Sequence, residues 1–300
     1  MPDARTHRNA VLQALLVTFL WATSWVLIKV GLRTIPALSF AGMRYALAAL
    51  ALLPLALRPE HRRAMRRLGP GDWARLGVLG VVYYAVTQGA QFLALNYLPA
   101  AALSLMLSLS AVLVSVLGSA WLGEPPTARQ WLGLAVFLAG ALVFLLPLPS
   151  GGQQAVGLLI GVLAMVANAA SSLLGRDVNR RQVLRPLPVT ATTMALGAVL
   201  LLGAGSQTGG FPRLDLGEWG IIIWLALVNT ALAFTLWNHT LRTLSAMEST
   251  LINNTMLIQV PVLAWVFLGE ALAAREVAGL LLAAVGIALV QLRGAPASQP

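Results

Sequence analysis

Inside long apolar runs, amides, hydroxyls and aromatic rings recur at helical spacing. Tyr84, Thr87, Gln88 and Gln91 stand at i, i+3, i+4 and i+7, which puts them on one face of a helix. Thr250, Asn253, Asn254 and Leu257 repeat that spacing, and Ser104, Ser108 and Ser115 form a hydroxylated stripe. Thr18, Trp21 and Trp25, Asn168 with Ser172, and Thr230, Phe234 and Trp237 beside Asn238 complete the set. Polar groups are costly in hydrocarbon, so such stripes face a bundle interior, a neighbouring helix or water. Amides and hydroxyls both donate and accept, and aromatic faces attract cations or stack on flat groups. For any single serine, a bond across helices is the plain reading. For Gln88, Gln91, Asn253 and Asn254 together, lining of a wet cavity is expected, because that many amides sealed in packing would leave donors unpaired. Trp21, Trp25 and Trp237 fit either packing or an aromatic wall.

Enzyme chemistry finds little to work with. His239 has no acid near it in sequence, Gly-x-Ser-x-Gly does not occur, no metal-ligand cluster is present and there is no cysteine. No cofactor is expected, and an intramembrane enzyme is the remote reading. Equally telling, no Asp or Glu stands near the middle of an apolar run; Asp177, Glu248, Glu124 and Glu270 all lie at ends. Carriers coupled to protons commonly use such a carboxylate, so transport down a substrate gradient, or weak proton coupling, is the expectation.

The elements that must hold these groups follow from composition. Of the 300 residues, 58% are hydrophobic and 10% charged, with mean hydropathy +0.80. Soluble domains carry about a quarter charged residues, so an integral membrane protein is expected, and the runs do not alternate as barrel strands would. Spans of about 20 apolar residues fall at 10–31, 36–57, 73–96, 99–122, 127–147, 156–178, 186–204, 216–241, 246–268 and 273–292. With the N-terminus inside, fifteen arginines lie on the cytoplasmic side, while Arg33, Arg213 and Arg275 lie outside and Lys29 and Arg44 lie within spans. The positive-inside rule then puts both termini in the cytoplasm. The net charge of +10 becomes largely an orientation signal, which removes the case for nucleic acid.

The chain also repeats itself. Leu122-Gly123-Glu124 returns as Leu268-Gly269-Glu270, and at the same offset Trp73 meets Trp219, Ala100 meets Ala246, Gly133 meets Gly279 and Gly140 meets Gly286. Two five-helix halves, 10–147 and 156–292, therefore have opposite orientations in the bilayer. Inverted repeats of this kind place a substrate site near the midplane, between the halves. The glycines of helices five and ten permit close contact, which suits outer supports or a homodimer face.

With Trp-Ala-Thr-Ser-Trp at 21–25, Arg44 early in the second helix and Leu-Gly-Glu after the fourth and ninth, the chain resembles the EamA-type drug/metabolite transporter superfamily over nearly its whole length. Within it, the sequence is similar to bacterial exporters of aromatic and other neutral amino acids of the YddG type. The resemblance implies an all-α integral membrane fold of ten helices around a central cavity. It also implies export of neutral amino acids or related small metabolites by alternating access across a bacterial-type inner membrane. The alternative is a carrier of drugs or other metabolites from the same superfamily. A zwitterion needs donors and acceptors together, so the candidate binding residues are Trp21, Trp25, Tyr84, Gln88, Gln91, Ser104, Ser108, Asn168, Trp237, Asn253 and Asn254. With no fixed charge among them, binding should be weak and tolerant. Arg44 reads as structural, a guanidinium in need of acceptors. Pro261, which cannot donate to the carbonyl of Leu257, and Lys29, at the outer end of the first helix, are the candidate gating residues.

Overall fold

The computed structural model describes residues 4–122, 127–146, 152–181, 184–244 and 246–291, and within them the side chains of 4, 111, 115–122, 179, 180, 238, 246, 247, 250 and 291 are left out of the description. Among the described residues all regular structure is helical. The first half consists of α1 (Ala4–Gly31), α2 (Ala37–Ala56), the short α3 (Pro59–Met65), α4 (Pro70–Leu79), a π-helical segment π1 (Gly80–Gln88), α5 (Gly89–Leu95), α6 (Ala100–Leu122) and α7 (Ala128–Leu145). The second consists of α8 (Gly152–Arg180), α9 (Pro186–Thr208), α10 (Leu216–Ala226), π2 (Leu227–Leu232), α11 (Ala233–Thr240), α12 (Ala246–Asn254), α13 (Met256–Leu268) and α14 (Ala274–Gln291). Eight helical stretches among the described residues are long and apolar enough to cross a membrane, and α6 and α14 occupy the stretches expected for the fourth and tenth spans.

Local chemistry sets the ends. Thr127 and Asp215 cap α7 and α10 through boxes closed by Gln130 and Glu218. Pro70 and Pro186 open α4 and α9, where a missing N–H costs nothing. Gly269, at φ +70°, ends α13 in the left-handed conformation that a residue with a Cβ rarely adopts.

The outer surface is apolar. Phe267 is 66% and Trp265 59% exposed, an arrangement that only a lipid solvent favours. Inside, one large core joins Phe40, Phe92, Leu95, Leu103, Met194 and Ile222, and a second, around Phe137, Phe144 and Leu280, sits between α6, α7, α13 and α14. Two helix pairs join the halves most extensively, α7 with α14 and α2 with α9. In the first pair a Cβ on Gly140 would stand 2.6 Å from the Gly279 carbonyl oxygen, and one on Gly133 2.8 Å from that of Gly286. The glycine faces of helices five and ten therefore meet each other within one chain. A homodimer cannot use those faces, because a partner helix already fills them.

Candidate functional site

Two polar and aromatic clusters meet at π2. The first lies between α2, π1 and π2. Arg44, 6% exposed, donates from Nε to Thr230 Oγ1 at 3.1 Å, and its guanidinium carbon stands 5.3 Å from the Tyr45 ring centroid. The Tyr45 hydroxyl donates to Gln88 Oε1 at 2.7 Å. Tyr45 meets Tyr84 edge-on at 5.3 Å, and Tyr84 meets Tyr83 at 4.7 Å. The structure therefore brings Tyr84 and Gln88 together around a buried charge.

The second cluster lies between α1, π2, α11 and α13. Trp21 packs against Phe234 at 5.4 Å and Trp237 at 5.2 Å, so two of the three expected tryptophans are joined. Trp25 is not with them; it is buried in the main core. Asn229 donates from Nδ2 to the Leu20 carbonyl and to Thr23 Oγ1 at 3.1 Å. Gln259 donates to Thr255 Oγ1 at 2.9 Å and reaches Thr18 Oγ1 at 3.4 Å. Asn229 Oδ1 and Gln259 Oε1 are buried without a partner.

The π-segments change the geometry read from sequence. A π-turn bonds i to i+5 rather than i+4, and such turns cluster at functional sites. Thr87 donates to the Val82 carbonyl and Thr230 to the Leu225 carbonyl, both five residues back and both at 2.8 Å. Of the α-helical stripe Tyr84, Thr87, Gln88 and Gln91, only Tyr84 and Gln88 still converge, both on Tyr45, while Thr87 turns to its own backbone. Thr87 is buried on its own backbone, Gln88 is held by Tyr45, and the side chain of Gln91, in α5, makes no hydrogen bond to a described residue.

Other expected site residues are scattered. Ser104 and Ser108 return their protons to Ala101 and Ser104 carbonyls of their own helix, each at 2.9 Å. Asn168 crosses from α8 to Ser110 of α6 at 2.8 Å, a packing contact between spans. Asn253 and Asn254, half-buried at the end of α12, keep their amides free of described partners. The side chains of Ser115, Asn238 and Thr250, and the first Leu-Gly-Glu turn beyond Leu122, lie outside the described residues.

The span expected over 246–268 breaks at Thr255, between α12 and α13 and six residues before Pro261, and α13 runs on through the proline. Thr255 donates to the Ile252 carbonyl at 2.6 Å, which competes with the backbone ladder at the break. Lys29, a candidate gating residue, pairs with Glu270 at 3.2 Å, and the other carboxylate oxygen accepts the Ala100 N–H at 2.8 Å. The Gly269 turn aims Glu270 at both, tying the ends of α1 and α13 to the start of α6.

Sequence reasoning missed Asn229, Gln259, Tyr45 and the role of Glu270. The last two had a visible signal: Tyr45 adjoins the buried arginine, and Glu270 belongs to the repeated turn.

Comparison with known proteins identifies the family. The EamA-like transporter family model matches twice, over residues 8–146 and 155–292. An uncharacterized transporter of Bacillus subtilis is 31% identical over 76% of this chain and 70% of its own length. A probable amino-acid metabolite efflux pump of Salmonella typhimurium is 28% identical over 91% of this chain and 92% of its own. A solved crystal structure shares the fold at TM-score 0.68 and 19% identity, over 95% of this chain and 97% of that one. With apolar helices of spanning length, an apolar exterior and this double match, the chain is a multi-pass membrane protein of the EamA-like transporter family.

Proposed function

We propose that the protein exports neutral amino acids or related small metabolites across a bacterial-type inner membrane. It does so by alternating access between inverted halves, 10–147 and 156–292, of five spans each, with both termini cytoplasmic. The observation that carries this reading is the pair of π-segments. At the 146-residue offset, 80–88 falls on 226–234, and π2 occupies Leu227–Leu232. Each half thus contributes one irregular, polar helix turn to the same region, where Tyr45, Gln88, Arg44 and Thr230 meet. Irregular backbone at membrane depth is tolerated where it is buried in protein or lines a water-filled cavity.

In this reading Tyr84, Gln88, Gln91, Asn253 and Asn254 line the path, and Trp21 with Trp237 forms its aromatic wall. Trp25, Ser104, Ser108 and Asn168 support the helices that carry those residues. Lys29 with Glu270 closes the outer mouth, and Pro261 together with the Thr255 break lets helix nine bend. Amino-acid cargo is favoured by the amino-acid metabolite efflux named for the Salmonella relative. The test is growth of cells expressing the protein under toxic levels of each amino acid, followed by counterflow in proteoliposomes. Rescue and saturable exchange with neutral amino acids are expected. Rescue by drugs alone would move the assignment to a drug carrier.

A further inference from the structure

We infer that Arg44 binds the carboxylate of the cargo, so that a free carboxylate is required of the substrate. The inference rests on the carrier reading above and adds to it a specific recognition group. Arg44 is the eighth residue of α2, about 10 Å inward from the helix start at 1.5 Å per residue. A cation at that depth is expensive and marks a functional pathway unless it is neutralised. Lys29, the other cation within a span, has its counter-ion in Glu270. Arg44 has none: among the described residues no carboxylate forms an ion pair with it.

The hydrogen bonding is equally incomplete. A guanidinium carries five N–H donors, and only Nε is used, on Thr230 Oγ1. Thr230 has already given its own proton to Leu225, which leaves its oxygen free to accept and fixes the guanidinium from behind. The Tyr45 ring flanks the group at 5.3 Å, while its hydroxyl is committed to Gln88. The two Nη groups donate to no described residue. Yet they are not among the sealed unpartnered atoms, which are Asn229 Oδ1 and Gln259 Oε1. Each therefore keeps a small surface that a water-sized molecule can reach, the side from which a carboxylate would approach. A planar fork held at one edge and free at the other matches a carboxylate in two parallel hydrogen bonds. The adjoining Tyr45, Tyr83 and Tyr84 rings would flank the rest of the cargo, and the same positive charge repels amines that lack an acid group.

The test uses the unaltered protein in proteoliposomes exchanging tritiated L-phenylalanine, with L-phenylalanine, hydrocinnamate and L-phenylalaninamide as competitors. A charge-assisted pair contributes enough that the amide should compete at least about tenfold less well than the two acids. Arg44→Gln should bring that ratio close to one, and Arg44→Lys should leave it intermediate. An amide that competes as well as the acids, or an Arg44→Gln protein that keeps the preference, overturns the inference. Because these variants could misfold, phenylglyoxal modification of the unaltered protein is followed at Arg44 by peptide mass spectrometry. L-Phenylalanine and hydrocinnamate should slow the adduct and the amide should not. An adduct indifferent to the acids, or none at Arg44, also overturns the inference. If no neutral amino acid exchanges but hydrocinnamate still protects Arg44, the amino-acid reading falls and the carboxylate site stands.

Discussion

Replacing Gly140 with alanine tests the seam between α7 and α14. The added methyl would stand 2.6 Å from the Gly279 carbonyl oxygen and 2.9 Å from Ala283 Cα, and it would press on the Ala283 backbone nitrogen. These are backbone atoms of the facing helix, so no side chain can swing aside. Restoring ordinary carbon contacts of about 3.5–4.0 Å requires the helices to part by roughly 1 Å. Strain of that kind in a packed interior costs about 1–3 kcal/mol. At about 2–4 °C per kcal/mol for a chain of this class, Gly140→Ala should melt several degrees lower, read as the fraction surviving heating in detergent by fluorescence-detected size exclusion. Gly77→Ala and Gly220→Ala are the controls, since a Cβ there meets nothing within 4 Å. Those two should hold or gain about 1 kcal/mol from helix propensity. A Gly140→Ala protein that melts with the unaltered chain would refute the backbone-contact argument.

Thr230→Val removes the acceptor of Arg44 Nε and should destabilise by about 1–3 kcal/mol, with Thr230→Ser restoring it; equal melting of Val and Ser variants would count against the bond. Tyr45→Phe leaves Gln88 Oε1 without its donor and should cost about 1 kcal/mol by the same melting assay. Glu270→Gln keeps an oxygen for the Ala100 N–H but loses the pull on Lys29. Because the chain has no cysteine, a single one at Thr34 can report this, and membrane-impermeant maleimide should label it faster in the Gln variant; an unchanged rate argues against an outer clasp. Pro261→Ala should slow counterflow if helix nine bends during the cycle, whereas unaltered turnover would make the proline purely architectural.

That the chain is all-helical and apolar enough to span was legible because twenty-residue apolar runs have few alternative structures in lipid, but the π-segments and the break at Thr255 that divide three of the expected spans were not. The pairing of Gly133 and Gly140 with Gly286 and Gly279 was half legible: periodicity marked a close-contact face but not whose backbone would fill it. The polar stripes were less so. Tyr84, Thr87, Gln88 and Gln91 were placed by α-helical arithmetic, and Thr87 defeats it by bonding five residues back. Trp21 and Trp25 sit four apart and look equivalent, yet one meets Trp237 and the other enters the core, a distinction that depends on which neighbour arrives. Arg44 was seen to need acceptors, but which ones it lacks is a property of three helices at once. Lys29 carried no local sign of Glu270, 241 positions away, although the repeated Leu-Gly-Glu turn did.

The glycine seam also bears on sideways traffic. Where two main chains touch at 133–140 and 279–286, no slit is left for an acyl chain or a flat aromatic molecule to slip inward between the two helices. That wall is shut to lateral leakage. A greasy cargo dissolved in one leaflet would have to board elsewhere along the perimeter, and cutting a side door here would mean prising apart both glycine pairs together.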